Sequence, residues 1–386
     1  MTANRLENFY NKYRPQILDD VVGQESITIT LKSAILHDKL SHAYLFFGPR
    51  GSGKTSTARA LCRSANCINR RGANACLACE GCKNSLRDAI EIDAASHRGI
   101  DDITTLIEDI RFLPKYADKK FIIIDEAHQL TAPAVNALLK IVEEPPPFVY
   151  FIFCTTSSPI ASATKTSQAF ATLASRCMTF SFTRIDPDAI LTKLANICVN
   201  EGKKAEKDVL LSIIDRSDGS LRDAENILDA LLTVNDRLIA ENLNQLYGNA
   251  PKHALALLDC CVSKDIGRGL LTVPKIWDSG VSLLEVAQLV VTYAGDLLRL
   301  DSGQTIYRPS FIVNGLKDIL EYVVIDVSTL SSTLAAFTDM VQKGREDSGS
   351  LDLTLCNAIF GSYDHLLKES IVHEPRLVTT NADDDW

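Results

Sequence analysis

A chain of 386 residues is long enough for two or three domains. Hydrophobic residues at 46% and charged residues at 23% describe an ordinary soluble globular protein. The net charge of −9 excludes a nucleic-acid binder that relies on its overall charge, so any DNA contact requires a local positive patch. The first residues, Met1 to Pro15, lack the apolar core of a secretory signal. No apolar run approaches the thickness of a bilayer, and Phe121 to Ile124 stops at Asp125. A cytoplasmic protein with no membrane contact is expected, its eleven cysteines being free thiols or metal ligands rather than disulfides.

In chain order, Lys12-Tyr13-Arg14-Pro15 and Asp19-Asp20-Val21-Val22-Gly23-Gln24-Glu25 precede a polar helix from about Ser26 to Leu36. Alone, this segment reads as an N-terminal cap on a sheet. Tyr44 to Phe47 then reads as a strand entering Gly48-Pro49-Arg50-Gly51-Ser52-Gly53-Lys54-Thr55. The pattern is Gly, four residues, Gly-Lys-Thr, and a helix from Thr55 to Arg63 can leave it. Such a loop turns its N–H groups onto a polyphosphate, aided by the dipole of the following helix. Lys54 is expected to reach the outer phosphates and the Thr55 hydroxyl to ligate magnesium.

Cys67, Cys76, Cys79 and Cys82 follow, with two successive Cys-x-x-Cys spacings. Three thiolates fall within reach of one ion, and Cys67 can close a tetrahedral zinc site in a knuckle too short to have its own core. Unpaired buried thiols and an iron–sulfur cluster are the alternatives, although a downstream Cys-Pro is missing for the latter. Cys62 reads as a small packing residue.

Ala89 to Asp93 reads as a buried strand, and Ser96 to Arg98 lead into a helix with Ile100, Ile103, Leu106, Ile107 and Ile110 on one face. His97 and Arg98 could hold a backbone phosphate there or simply be a solvated turn. In Phe121-Ile122-Ile123-Ile124-Asp125-Glu126-Ala127-His128, four apolar residues end in two acids. That describes a buried parallel strand whose C-terminal tip meets phosphates. Asp125 is expected to hold magnesium through water, and Glu126 to activate the attacking water. A helix from about Pro133 to Glu144 stops at three prolines. Phe148 to Cys154 is a third buried strand, ending in Thr155-Thr156, either of which could contact a γ-phosphate.

Ser157 to Leu173 reads as a loop or short irregular helix, followed by Ser175-Arg176-Cys177 and an alternating strand, Met178 to Thr183. From Pro187 to about Tyr247 the pattern is helical, with Arg222 in the first turn of a helix opened by Gly219-Ser220-Leu221. Leu255 to Val262, Leu283 to Leu300, Val327 to Val341 and Leu351 to Leu367 read as a helical bundle, and the tail after about Val372 as disordered.

Taken together, KYRP, DDVVGQE, HAYLFFGPRGSGKT, the four cysteines, IEIDAAS, IIIDEAHQLTAPAVNALLK, VEEPP, SRC and GSLRDA resemble the ATPase subunit of the bacterial replicative clamp loader, the gamma/tau family of DNA polymerase III. The resemblance runs from Lys12 to Ala224; beyond it the chain is similar only in being helical. It implies an α/β AAA+ P-loop domain with a parallel sheet over residues 1–183, carrying a zinc knuckle at 67–82. A helical lid over 184–248, a helical collar over 249–370 and a disordered tail over 371–386 complete the expected architecture.

By the same resemblance, Gly48, Gly51, Ser52, Gly53, Lys54 and Thr55 bind ATP, and Asp125 with Glu126 supply the Mg²⁺ and catalytic acids. Cys67, Cys76, Cys79 and Cys82 are the Zn²⁺ ligands, Thr155 or Thr156 the first sensor, and Arg222 the second. Arg176 is the arginine finger that reaches a neighbouring subunit's nucleotide, an element that can contribute roughly 10³–10⁵ in rate. The implied activity is DNA-stimulated ATP hydrolysis that loads the sliding clamp on primer–template DNA, within a ring of other clamp-loader subunits. The segment from Thr156 to Ser175 is longer and richer in Ser, Ala and Thr than the family pattern. The chain also ends soon after the third domain, the length of the shorter, gamma-type family product, with no polymerase-binding tail expected. A non-hydrolysing structural subunit of the same assembly is disfavoured by the presence of Lys54, Asp125 and Glu126. A DEAH-type helicase, suggested by Asp125 to His128, lacks a recognisable second motor domain.

Overall fold

The computed structural model describes residues 7–158, 165–234, 237–239, 242–243, 248–323 and 334–339. They divide into two compact units. The first comprises the described residues within 1–205 and 210–237, the second those within 206–209 and from 238 onward.

The first unit is built on a five-stranded parallel sheet of β1 (Ala43–Phe47), β2 (Ile90–Asp93), β3 (Lys120–Asp125), β4 (Val149–Thr155) and β5 (Met178–Ser181), in the order β2-β3-β4-β1-β5. The central strands are continuous apolar runs because both faces are covered. Successive side chains alternate between those faces. Leu45, Ile122, Ile124, Phe151 and Phe153 pack with Ile103, Leu106 and Ile110 of α5 (Ile100–Ile110) and Val135 and Leu138 of α6 (Ala132–Glu143). Tyr44, Phe46, Phe121, Ile123, Ile152 and Cys154 pack on the other face with Ile27, Leu31 and Ile35 of α2 (Glu25–Leu36) and Ala58 and Leu61 of α3 (Lys54–Ala65). α2 is therefore amphipathic rather than merely polar. The short N-terminal helix α1 (Phe9–Lys12) and the helices α8 (Pro187–Asn200) and α10 (Leu221–Val234) also belong to this unit.

Two sequence expectations change here. β2 is the edge of the sheet and is not buried: Ile90 and Ile92 are half-covered, and Glu91 accepts two hydrogen bonds at 2.7 Å from Arg59. The Ser/Thr/Ala-rich segment contains a regular ten-residue helix, α7 (Lys165–Ala174), because Phe170, Leu173 and Ala174 find the sheet core. Residues 159–164 of that segment lie outside the described residues.

The second unit is helical around one core. Leu257, Leu258 and Cys261 of Ala250–Ser263 pack against Val286, Val290, Tyr293 and Leu297 of Leu283–Asp301, with Ile276 and Leu316 closing it. Helices Ile266–Asp278 and Ser310–Tyr322 were not expected from the sequence pattern. Most of Val327 to Val341, and all of Leu351 to Leu367 and the tail, lie outside the described residues. Among the described residues no helix is long and apolar enough to cross a membrane.

Candidate nucleotide site and thiol cluster

Parallel strands put all their C-terminal ends on one edge of the sheet, where ligand crevices form. β4 lies between β1 and β3. The loop after β1 and the acids after β3 are thus two strand spacings apart, roughly 9.5 Å. The intervening tip is Thr155, whose carbonyl accepts the Gly48 N–H at 3.1 Å.

Across that gap the Thr55 hydroxyl donates to Asp125 Oδ2 at 2.7 Å. The Lys54 ammonium is buried at 6% exposure and donates to the carbonyls of Gly48 (2.9 Å) and Pro49 (2.7 Å). Burial lowers its pKa, while Cys154, Glu126 and Asp125 act in the opposite sense. Ser52 Oγ donates to the Pro49 carbonyl at 2.8 Å, which closes the turn. Gly53 caps α3 with φ of 96°, and a Cβ there would meet nothing within 4 Å, leaving open space beside the helix N-terminus. At Gly51 (φ 73°) a Cβ would stand 2.0 Å from Ser220 Oγ, so only glycine fits.

Glu126 adopts a left-handed backbone, φ 48° and ψ 40°, at a cost of about 1–2 kcal/mol for a non-glycine residue. Its N–H donates to Asp125 Oδ1 at 3.0 Å. Its carboxylate accepts from Thr156 Oγ1 at 3.3 Å and stands 3.4 Å from His128 Nδ1. Thr155 is fully buried, with its hydroxyl 3.0 Å from the same His128 nitrogen. The structure therefore puts Thr156, and not Thr155, on the acid.

The cleft is lined by Arg50 to Ser56, Asp125, Glu126 and Arg222, and also by Tyr10, Arg14, Val21, Val22 and Glu225. The N-terminal segment that alone reads as a cap is thus part of the cleft wall. Sequence reasoning missed Tyr10, Arg14 and Glu225. Their one signal was the position of Tyr10 and Arg14 around Lys12-Tyr13-Arg14-Pro15, and nothing local marks Glu225. Gln24 is also built in: buried, it donates to the Thr183 carbonyl at 2.9 Å.

Arg176 is not among the cleft residues. It is exposed after α7, where its Nε donates to Glu143 Oε1 at 2.5 Å and a terminal nitrogen to the Thr172 carbonyl at 2.8 Å.

The four thiols converge beside α4 (Glu80–Asp88). All four sulfurs lie within 4.8 Å of one another, with Cys67–Cys79 and Cys76–Cys82 at 3.7 Å and Cys79–Cys82 at 3.4 Å. These separations are too long for disulfides. They approach the edge of about 3.8 Å for a tetrahedron with metal–sulfur bonds of about 2.3 Å. The N–H groups of Cys76, Cys79 and Cys82 donate to Cys67, Cys76 and Cys79 sulfurs respectively, at 3.1–3.5 Å. Burial raises the Cys79 thiol, but the N–H groups and the Cys82 thiol outweigh it and bring the pKa to about 6. The set fits a zinc ion in chemistry and in spacing.

A family model described as DNA polymerase III, delta subunit, matches residues 23–186. The tau subunit of DNA polymerase III from Bacillus subtilis is 37% identical over 329 residues, covering 82% of this chain and 54% of that protein. The gamma/tau subunit from Mycoplasma genitalium is 43% identical over 232 residues, covering 59% and 38%. The chain thus spans about half, or less, of the length of these two relatives. The gamma subunit from Buchnera aphidicola is 32% identical over 292 residues, covering 72% of this chain and 76% of that protein. On this similarity, with the phosphate-loop cleft and the thiol cluster in place, the chain belongs to the DNA polymerase III gamma/tau subunit family.

Proposed function

We propose that this chain is an ATP-hydrolysing motor subunit of a replicative clamp loader, which uses ATP to load a sliding clamp on primer–template DNA. The observation that carries the reading is the 2.7 Å hydrogen bond from Thr55 to Asp125, which joins the phosphate loop and the acidic strand tip in one cleft. Thr55 and Asp125 are the residues that would hold magnesium, whose charge would neutralise the phosphates of a bound triphosphate. Lys54 would exchange its two carbonyl partners for phosphate oxygens. Glu126 orients an attacking water and accepts its proton, and Thr156 holds that carboxylate in place until then. Arg222 contacts the outer phosphate from α10, and Arg176, exposed and not part of its own cleft lining, serves a neighbouring subunit's nucleotide. The four cysteines hold a structural zinc. The lid is assigned to 184–248 and the collar to 249–370, with the ring of other clamp-loader subunits assembled through the latter, and DNA is met through a local positive patch. A cytoplasmic location follows from that role.

The test is steady-state ATPase activity of Glu126→Gln beside its equilibrium binding of ATP. Loss of the base lowers turnover about 10²–10⁴-fold while binding persists. Full turnover in the variant rejects the assignment of Glu126.

A further inference from the structure

Arg222 and Arg14 share one aromatic ring. The Arg222 guanidinium lies 4.3 Å from the centre of the Tyr10 ring, and the Arg14 guanidinium 4.4 Å from it. All three residues line the nucleotide cleft. The ring belongs to α1, at the start of the chain, whereas Arg222 opens α10, more than two hundred residues later.

Two guanidinium groups on one ring repel each other. Burial and then Arg59 draw the pKa of Arg14 down; Arg222 adds a smaller push the same way, against Tyr10 and Glu91, which raise it. The Arg14 Nε is buried without a hydrogen-bond partner. The π-face of the tyrosine offsets the repulsion, because a ring quadrupole attracts a cation above it. Arg222 has no carboxylate in its ion pairs among the described residues. A ring leaves the guanidinium's N–H donors unspent, where a carboxylate would occupy them.

We infer that Tyr10 is a positioning residue for Arg222: its ring holds the guanidinium at the cleft with its donors free for the outermost phosphate of a nucleoside triphosphate. The inference rests on the nucleotide reading above and deepens it. Tyr10 need not touch the nucleotide. It ties the N-terminal helix to the helix that carries the sensor, so that docking of the two is part of recognising three phosphates rather than two.

The experiment measures the dissociation constants of ATP and ADP, with Mg²⁺, by calorimetry on the full chain. The chains compared are wild type, Tyr10→Phe, Tyr10→Trp, Tyr10→Leu, Arg222→Ala and Tyr10→Leu with Arg222→Ala. Tyr10→Leu weakens ATP about 3- to 10-fold and leaves ADP unchanged, as expected for loss of one cation–π contact. Tyr10→Phe and Tyr10→Trp keep the wild-type preference for ATP over ADP, and in Arg222→Ala the second substitution adds nothing. A purely structural tyrosine would instead weaken both nucleotides alike, or add its effect to that of Arg222→Ala. Either result overturns the inference, as does loss of the preference in Tyr10→Trp, which also serves should the leucine variant fail to fold. Wild-type protein that binds neither nucleotide rejects the nucleotide reading itself, and the inference with it.

Discussion

Glu225 has 4% of its surface exposed, and burial raises its carboxyl pKa to about 8 although Lys193 and Arg14 pull it down. A carboxyl whose folded pKa stands above its unfolded value of 4.5 binds a proton more tightly when folded. Its contribution to stability is complete below about 4.5 and is lost as pH rises towards 8. Each pK unit corresponds to roughly 1.4 kcal/mol. Glu225→Gln should flatten that loss: between pH 5 and pH 8 the wild type should drop about 1–3 kcal/mol more in urea-unfolding stability than the variant. Parallel pH profiles for the two proteins would show that the carboxyl is ionised in the fold. At this scale, legibility followed sequence distance. Lys54 and Thr55 sit on one loop, and Asp125 with Glu126 at one strand end, so spacing alone could single them out as candidates, and the fold brings them to one cleft. Tyr10, Arg14 and Glu225 meet across the fold, and no local pattern could pair them. What sets Thr155 and Thr156 apart also needs the packed sheet: Thr155 is buried, and the Thr156 hydroxyl donates to Glu126.

The thiol knuckle has little apolar core of its own around its sulfurs, although Ala73 reaches the sheet core and Arg70 donates to the Ile35 carbonyl. Its apolar cluster comprises only Cys67, Ala75 and Cys82, with Ile17, Cys76 and Cys79 at the margin. A bound metal would supply folding energy to a segment of this kind. Elemental analysis should find one zinc per chain. Chelation with a strong ligand at neutral pH should expose the thiols to a thiol reagent and lower the thermal midpoint, and adding zinc should restore both. Unchanged thiol reactivity after chelation would leave the cluster a packed group of thiols with no ion. The same scale explains where element reading failed. β2 was legible as a strand but not as an edge, because burial depends on neighbours that the strand itself does not encode. α7 was obscured by its Ser, Thr and Ala content, although Phe170, Leu173 and Ala174 form an apolar stripe against the sheet. Ile266–Asp278 carries Pro274 in its interior and two glycines near its start, all of which argue against a helix, yet Val273 and Ile276 are buried in the helical core. Tertiary burial outweighed local preference there.

At the level of the whole molecule, the placement of Arg176 makes a prediction that a single chain cannot test. Arg176 pairs with Glu143 and does not line its own cleft, so its proposed role in hydrolysis is one to test in an assembly. Arg176→Ala should bind ATP normally as an isolated chain. In the reconstituted ring with clamp and primer–template DNA it should lose DNA-stimulated turnover by about 10³-fold or more. Retained stimulation would remove Arg176 from that role. The parallel order of the sheet has a further consequence, for synthesis. β1 emerges early, but its two neighbours are β4 and β5, and Ala43 pairs with Phe151, more than a hundred residues downstream. At translation speeds of 5–20 residues per second, that interval lasts roughly 5 to 20 seconds. Throughout it, a strand of Ala-Tyr-Leu-Phe-Phe has helices to pack on one face but neither of its sheet neighbours. The nascent polypeptide therefore passes through a sticky adolescence, with two unpaired strand edges waiting for partners that are still unmade.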